Sequence, residues 1–378
     1  MIYKKFQDLE LSALGLGTMR LPCTDGDDAR IDEEKTARMV DYAMKNGVNY
    51  YDTAWGYHHG NSELVMGRIL KKYSRESFYL ASKFPGYDLA NMPRVEEIFE
   101  KQLEKCQVDY FDFYLFHNVY EKNIDAYLDD EKYGIFSYLI KQKENGRIRH
   151  LGFSAHGSYD VLKRFLEAYG DHMEFCQLQI NYLDWNFQKA KENVELLESY
   201  HIPVWVMEPL RGGRLTSLNE EDTARLHALR PEETVPGWAF RFLQSIPGVT
   251  VTLSGMSTLR QLEENIRTFS TEEPLNEQEK DTLLDMAYHM THTVPCTACH
   301  YCTSHCPQEL DIPGLIGLYN EHTFTSGATI DPAVLSSIPE EKRPSACIGC
   351  GACAAVCPQQ IKIPGCDERF LQETAAII

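Results

Sequence analysis

Nine of the twelve cysteines in this 378-residue chain lie between Cys296 and Cys366, and eight of those nine write one pattern twice. Cys296, Cys299, Cys302 and Cys306 run into Pro307, and Cys347, Cys350, Cys353 and Cys357 run into Pro358, both as C-x2-C-x2-C-x3-C-P. The likeness continues to Ile312-Pro313-Gly314 and Ile363-Pro364-Gly365, which marks a duplicated unit. Three cysteines spaced by two residues can wrap one iron–sulfur cubane, while the fourth, stopped by proline, ligates the other cluster. The spacing therefore predicts two [4Fe-4S] clusters. Cys296, Cys299, Cys302 and Cys357 are assigned to one, and Cys347, Cys350, Cys353 and Cys306 to the other. Structural zinc is the competing reading, but zinc sites usually pair two C-x2-4-C knuckles and need no cysteine–proline stop.

The motifs stand 40 residues apart, and Ile312 to Tyr319 and Pro332 to Ile338 have helical character. In this the segment resembles the helical di-cluster ferredoxin domain of respiratory and heterodisulfide-reductase-type electron carriers. Cys366 lies outside both motifs and reads as a core cysteine; His300 and His305 lie inside the first motif, where the ligand set is already complete.

Only Cys23, Cys106 and Cys176 precede the motifs, and the composition of that longer part is ordinary for a globular domain. From Leu14 to Thr268, short apolar runs alternate with amphipathic helical patterns, the signature of a helix-covered parallel sheet. The runs are Leu14–Leu16, Tyr50–Asp52, Phe78–Ser82, Phe113–Phe116, His150–Phe153, Cys176–Ile180, Val204–Met207 and Val249–Leu253. Thr36, Met39, Val40, Ala43 and Met44 sit at helical spacing and stop at Asn46-Gly47; Val161, Leu162, Phe165, Leu166 and Tyr169 repeat the pattern. Eight strand–helix pairs make an α/β chain with a (β/α)8 TIM barrel, and an open doubly wound sheet is the alternative. Gly15-Leu16-Gly17-Thr18-Met19-Arg20 lacks the third glycine of a dinucleotide fingerprint, which weakens that alternative. A connecting helix starts at Asn276, an N-cap with Glu279 three residues on and Leu283, Leu284, Ala287 and Met290 on one face. The expected domains are thus 1–275, the barrel, and 276–378, the connecting helix with a small, mainly helical di-cluster ferredoxin-like domain.

A net charge of −19 leaves nucleic acid little to bind. No apolar run is long enough to span a bilayer, and the start lacks a signal peptide, so a cytoplasmic protein without membrane attachment is expected.

Asp52 ends the second strand run, Tyr57 follows it, Lys83 ends the third and His117 ends the fourth. In a barrel all four gather at the carboxyl-terminal mouth, where catalytic residues of such barrels sit. The stretches Tyr50-Tyr51-Asp52-Thr53-Ala54-Trp55-Gly56-Tyr57 and Asp112-Phe113-Tyr114-Leu115-Phe116-His117 resemble the aldo-keto reductase superfamily over residues 1–270. The resemblance implies a catalytic tetrad of Asp52, Tyr57, Lys83 and His117. Tyr57 would donate a proton to a carbonyl oxygen, Lys83, held by Asp52, would lower the Tyr57 pKa, and His117 would orient the carbonyl.

The same resemblance implies a nicotinamide cofactor. Gly17, Thr18, Met19 and Asp52 would border its reactive end, and Ser154 and Gln177 would bind its carboxamide. Met207 replaces the usual stacking tyrosine, and Ala155 replaces the usual asparagine. Pro209, Leu210 and Gly212 would follow the pyrophosphate; Gly255, Ser257, Gln261, Glu264 and Asn265 would lie around the adenosine end. The usual basic clamp aligns with Gly255 and Gln261, with Arg260 beside them, so NADP(H) is preferred over NAD(H) only modestly. His58-His59-Gly60-Asn61-Ser62-Glu63 is longer than the family's commonest loop here and reads as a solvated loop.

The expected function is an oxidoreductase: NAD(P)H-dependent reduction of a small-molecule carbonyl, or the reverse alcohol oxidation, linked to two clusters that exchange electrons with a redox partner or the substrate. Hydride carries two electrons and a cluster one, so a flavin is left open as converter, although no flavin motif stands in the sequence. The alternative is a nucleotide- and redox-sensing interaction subunit with a non-catalytic barrel.

Overall fold

A computed structural model describes residues 1–291, 294, 296, 300, 302–324, 338–358 and 360–363. The chain divides into two compact units, Met1–Lys280 and Asp281–Ile378.

The first unit is a closed barrel of eight parallel strands: β3 (Leu14–Gly17), β4 (Tyr50–Asp52), β5 (Tyr79–Phe84), β6 (Phe111–Val119), β7 (Ile148–Ala155), β8 (Cys176–Gln179), β9 (Val204–Met207) and β10 (Val249–Gly255), with β10 closing on β3. All eight strands read from the sequence are present, and the open doubly wound sheet is excluded by the closure. Their side chains are buried on both faces because helices cover the outside, which is why they read as continuous apolar runs. The helix Glu33–Lys45 buries Thr36, Met39, Val40 and Ala43 and is capped by the Asp32 carboxylate, which accepts from the Lys35 amide.

Two strands precede the barrel that the sequence did not announce, β1 (Tyr3–Phe6) and β2 (Leu9–Ser12), an antiparallel hairpin. It buries Phe6 and Leu11 in one cluster with Tyr50, Phe113, Phe175 and Trp205. Tyr50, Phe113 and Trp205 stand near the amino-terminal ends of their strands, so the hairpin closes that end and leaves the opposite mouth for chemistry. The helix Glu277–Thr291 opens on reciprocal bonds between Asn276 and Glu279, and Glu279 also takes a bidentate pair from Arg230 at 2.7 Å on each arm. Leu283, Met286 and Ala287 are its buried apolar residues, whereas Leu284 and Met290 are half-buried.

Among the described residues the second unit has no strand; it holds most of the helix Glu277–Thr291, the helix Ile312–Phe324 and short helical turns. Its core joins Leu310, Ile312, Leu315, Ile316, Tyr319, Ile361 and Ile363 to Cys302 and Cys353. The buried Asn320 side chain bonds both the amide and the carbonyl of Val294, at 2.8 and 3.0 Å. The expected helix at Pro332–Ile338 lies, but for Ile338, outside the described residues. Among those residues no helix is long and apolar enough to cross a membrane.

Candidate functional site

At the carboxyl-terminal mouth, Lys83 is fully buried and donates to Asp52 Oδ1 at 2.6 Å and to the Thr53 carbonyl at 2.8 Å; Gln177 Nε2 donates to Asp52 Oδ2 at 3.1 Å. Desolvating both charges is costly, and these bonds are what offset it. Burial pushes the Asp52 carboxyl up, against the Lys83 charge and the bonds from Lys83 and Gln177. Burial also acts against the Lys83 ammonium, but Asp52 and Tyr57 outweigh it and the group stays charged. Lys83 Nζ stands 5.1 Å from the centre of the Tyr57 ring.

Burial raises the Tyr57 pKa more than the Lys83 charge lowers it. The phenol is therefore held protonated, whereas the sequence reading expected net lowering by the cation. Burial is what the sequence could not supply. A protonated phenol beside a fixed cation is set to give a proton to a developing oxyanion.

His117 packs edge-on to Tyr57 and to Tyr87, with ring centres 6.2 and 5.3 Å away. The pairing of β6 with β7 shifts register between Phe116 and Val119, and Asn118 takes a left-handed φ of 58°. Such a bulge re-aims a side chain at a strand end. The Tyr127 hydroxyl holds the His117 carbonyl at 2.9 Å, and Asn123 Nδ2 bonds the Asn118 and Gly86 carbonyls at 2.7 and 3.1 Å. Burial, with the Lys83 charge, puts the His117 pKa well below the usual histidine value, so the ring is neutral. His117 Nδ1 and Asn118 Oδ1 are buried without a hydrogen-bond partner.

Beneath Lys83 lies a polar network that sequence reasoning missed. The fully buried Glu63 carboxylate accepts from Ser82 Oγ (2.7 Å), Gln102 Nε2 (2.6 Å) and Lys105 Nζ (3.1 Å); Gln102 also donates to the Lys83 carbonyl at 3.0 Å. Ser62 and Glu63, read from the sequence as part of a solvated loop, instead open the helix Ser62–Leu70 and are fully buried. His58 is likewise buried, against the expectation of a solvated loop, while His59 is exposed. The Leu21 amide donates to His58 Nε2 at 3.1 Å, so Nδ1 bears the proton and donates to the Asp28 carbonyl at 2.8 Å. With Cys23 Sγ 3.6 Å from Nδ1, Cys23, Asp28 and His58 have metal-like proximity. A metal on Nδ1 would force the proton onto Nε2, facing the Leu21 N–H, so the arrangement is a hydrogen-bonded latch.

The expected nucleotide residues divide into two groups. Gly17, Met19, Met207, Gly212 and Gly255 stand at or just beyond strand ends around the mouth, Met19 being 53% exposed. Pro209 is buried and Leu210 half-buried in the chain leading to Gly212. Other side chains are engaged within the protein. Thr18 Oγ1 bonds the Asp52 carbonyl (2.9 Å), Ser154 Oγ accepts from the Asn118 amide (2.7 Å), and Asn265 bonds Ser254 (3.1 Å). Gln261 forms a capping box with Thr258 and also accepts from the Ser257 amide, and Glu264 pairs with Arg260. A dinucleotide fits this rim: Gly212 and Gly255 are exposed glycines at which a Cβ would crowd Arg20, and orphaned polar atoms lie beside the tetrad.

In the second unit, Cys306 lines one cleft with Cys347, Cys350 and Cys353, bordered by Pro307, Leu310, Ile312 and Ile348. The fourth cysteine of the first motif thus joins the first three of the second. Four thiols of one cleft, one of them followed by proline, match the ligand set of a cubane. The Gly349 amide donates to Cys347 Sγ at 3.5 Å. Of the other set, Cys296, Cys302 and Cys357 pack on the core of the unit, while Cys299 lies outside the described residues, as does Cys366. None of the ten described cysteines is in a disulfide, and His300 and His305 are exposed.

The family model of the aldo/keto reductases matches residues 13–285, and that of a 4Fe-4S dicluster domain matches residues 295–361. The chain is 26% identical over 314 residues to the uncharacterized oxidoreductase YqkF of Bacillus subtilis, covering 74% of this chain and 95% of that protein. It is 27% identical over 237 residues to the NADH-specific methylglyoxal reductase of Escherichia coli, covering 57% and 68%. Among solved structures, the holo form of aldo-keto reductase AKR11C1 from Bacillus halodurans aligns with a TM-score of 0.61 at 24% identity, over 76% of this chain and 96% of that one. An aldo/keto reductase from Klebsiella pneumoniae in complex with NADP and acetate aligns with a TM-score of 0.60 at 18% identity, over 75% and 93%. At those identities the structures show a shared barrel, and the family match adds the rest. The chain belongs to the aldo/keto reductase family, as an oxidoreductase whose barrel is followed by a C-terminal 4Fe-4S dicluster domain.

Proposed function

We propose that residues 1–275 reduce a small-molecule carbonyl with NAD(P)H, or run the reverse alcohol oxidation, and that residues 276–378 hold two [4Fe-4S] clusters serving a redox partner. The observation that carries the reading is the buried Asp52–Lys83 pair beneath the Tyr57 ring, at the end of the barrel where the neutral His117 edge also stands. A bound nicotinamide supplies the hydride to the carbonyl carbon. Tyr57 gives its phenolic proton to the carbonyl oxygen, and the phenolate left behind is stabilised by Lys83 until solvent returns the proton. Asp52 keeps Lys83 charged and in place. His117, neutral, steadies the carbonyl oxygen without competing as an acid.

Bound clusters pass electrons singly. Cys296, Cys299, Cys302 and Cys357 would hold one, and Cys306, Cys347, Cys350 and Cys353 the other. The open thiols suit a reducing compartment such as the cytoplasm.

The test is anaerobic. NADPH, then NADH, is added to cluster-loaded protein, with cluster reduction followed by absorbance and electron paramagnetic resonance and carbonyl reduction followed in parallel. Carbonyl turnover that Tyr57→Phe abolishes, with nucleotide affinity kept, supports the reading. Turnover unchanged in that variant removes Tyr57 as proton donor.

A further inference from the structure

The 3-10 turn Thr18–Arg20 carries β3 into its loop, and the carbonyl of Arg20 accepts a 2.8 Å bond from Ser257 Oγ beyond β10. That bond fixes the Arg20 backbone between two strand ends. The side chain then lies along Gly255: a Cβ at Gly255 would sit 3.2 Å from both Cβ and Cγ of Arg20 and 3.3 Å from its Cδ. Its far end reaches Gly212, whose Cβ position is 3.1 Å from Arg20 Nη2. One arginine therefore spans the ends of β3 and β10 and the loop after β9.

Two of the neighbouring arginines are engaged. Arg211 is paired with Asp184 and Arg260 with Glu264, whereas no described carboxylate makes an ion pair with Arg20. Glu208 Oε2 is 3.7 Å from the same Gly212 Cβ position, so an anion placed there without Arg20 would meet a carboxylate unaided. Gly212 and Gly255 are both exposed, and Gly212 has a left-handed φ of 65°, which leaves its backbone open to close approach. A guanidinium fork over bare glycine backbone matches the paired oxygens of a diphosphate.

We propose that Arg20 is the diphosphate clamp of the dinucleotide site. It acts on NADH and NADPH alike because the group it holds is common to both. The inference rests on the barrel binding a nicotinamide dinucleotide.

The experiment is direct binding to the cluster-loaded full chain. NADH and NADPH are titrated by calorimetry into the unmodified protein, Arg20→Gln and Arg20→Lys, with thermal unfolding as the folding control. Arg20→Gln is expected to raise both Kd values by the same factor, roughly 10- to 100-fold, and to flatten their salt dependence. Arg20→Lys, which keeps the charge and loses the fork, should recover part of the loss. Unchanged affinity for both nucleotides in a folded Arg20→Gln overturns the clamp, and so does a loss confined to NADPH, which would put Arg20 on the 2'-phosphate. An unmodified protein that binds neither nucleotide overturns the dinucleotide reading itself and the clamp with it.

Discussion

The Tyr127 hydroxyl reaches 2.9 Å to the carbonyl of His117, and it can do so only because residue 86 is glycine: a Cβ there would collide with that hydroxyl. Tyr127 and Gly86 thus set the end of β6 against the end of β5, which carry His117 and Lys83. Tyr127→Phe removes the bond and leaves a buried carbonyl short of a donor, a loss of about 1–3 kcal/mol. Urea unfolding should show that loss, and kcat should fall about tenfold as His117 drifts. Stability lost with kcat unchanged would make Tyr127 purely structural.

The Asp52–Lys83 pair predicts non-additive energetics. Lys83→Met strands a buried carboxylate and Asp52→Asn strands a buried ammonium, each costing about 3–5 kcal/mol. The double variant leaves neither charge stranded, so it should be more stable than the sum of the singles implies. Strict additivity in denaturant titrations would mean that the two charges do not depend on each other.

In the proposed carbonyl reduction, His117 and Tyr57 set the pH profile. Burial and the Lys83 charge depress the His117 pKa, so its neutral form persists below the usual histidine range. Burial raises the Tyr57 pKa above 10.0, so the phenol stays protonated to alkaline pH. The rate should show no inflection near pH 6.5 and an alkaline fall only beyond the ordinary tyrosine range. A limb near 6.5 that vanishes in His117→Gln would show that His117 titrates.

Acid stability turns on Glu174, at the other end of the barrel. Burial raises its pKa, but bonds from His150 (2.8 Å), Lys143 (2.5 Å) and Gln7 (2.7 Å) overcome that and bring it to about 2, from an ordinary 4.5. A depressed folded-state pKa gives stability that is complete above the unfolded value and is lost as pH falls through the folded one. Glu174→Gln should therefore lower the Tm at pH 6 and erase the part of the acid loss falling between about 4.5 and 2. An unchanged acid limb would assign that loss to other carboxylates.

The sequence was most legible where one requirement dominated. Barrel strands are buried on both faces and so read as continuous apolar runs, as Phe113–Phe116 does within Phe111–Val119. The β1–β2 hairpin escaped because Tyr3-Lys4-Lys5-Phe6 shows water three partly or fully exposed residues and only Phe6 to the core. Asp52, Lys83 and His117 were legible because strand ends fix their place. Glu63 and His58 were not, because their burial comes from helices and loops far away in sequence. Tyr57 falls between: its position was readable, but the balance of burial against Lys83 needed the packed barrel.

The crossing of cysteines between motifs can be tested without any activity. Cys306 lines the cleft of Cys347, Cys350 and Cys353, so the two predicted ligand sets share no motif entirely. Iron and acid-labile sulfide are measured after anaerobic reconstitution of Cys306→Ala, Cys347→Ala, Cys296→Ala and their pairs. With crossed sets, Cys306→Ala and Cys347→Ala damage the same cluster, so their combination loses no more iron than either alone. Cys306→Ala with Cys296→Ala then damages both clusters. Self-contained motifs reverse the two results, since Cys306 and Cys296 would share a cluster and Cys306 and Cys347 would not. Where single losses leave partly occupied clusters, the limit still separates the two connectivities: two ligands of one cluster can cost at most its four irons, whereas ligands of different clusters draw iron from both.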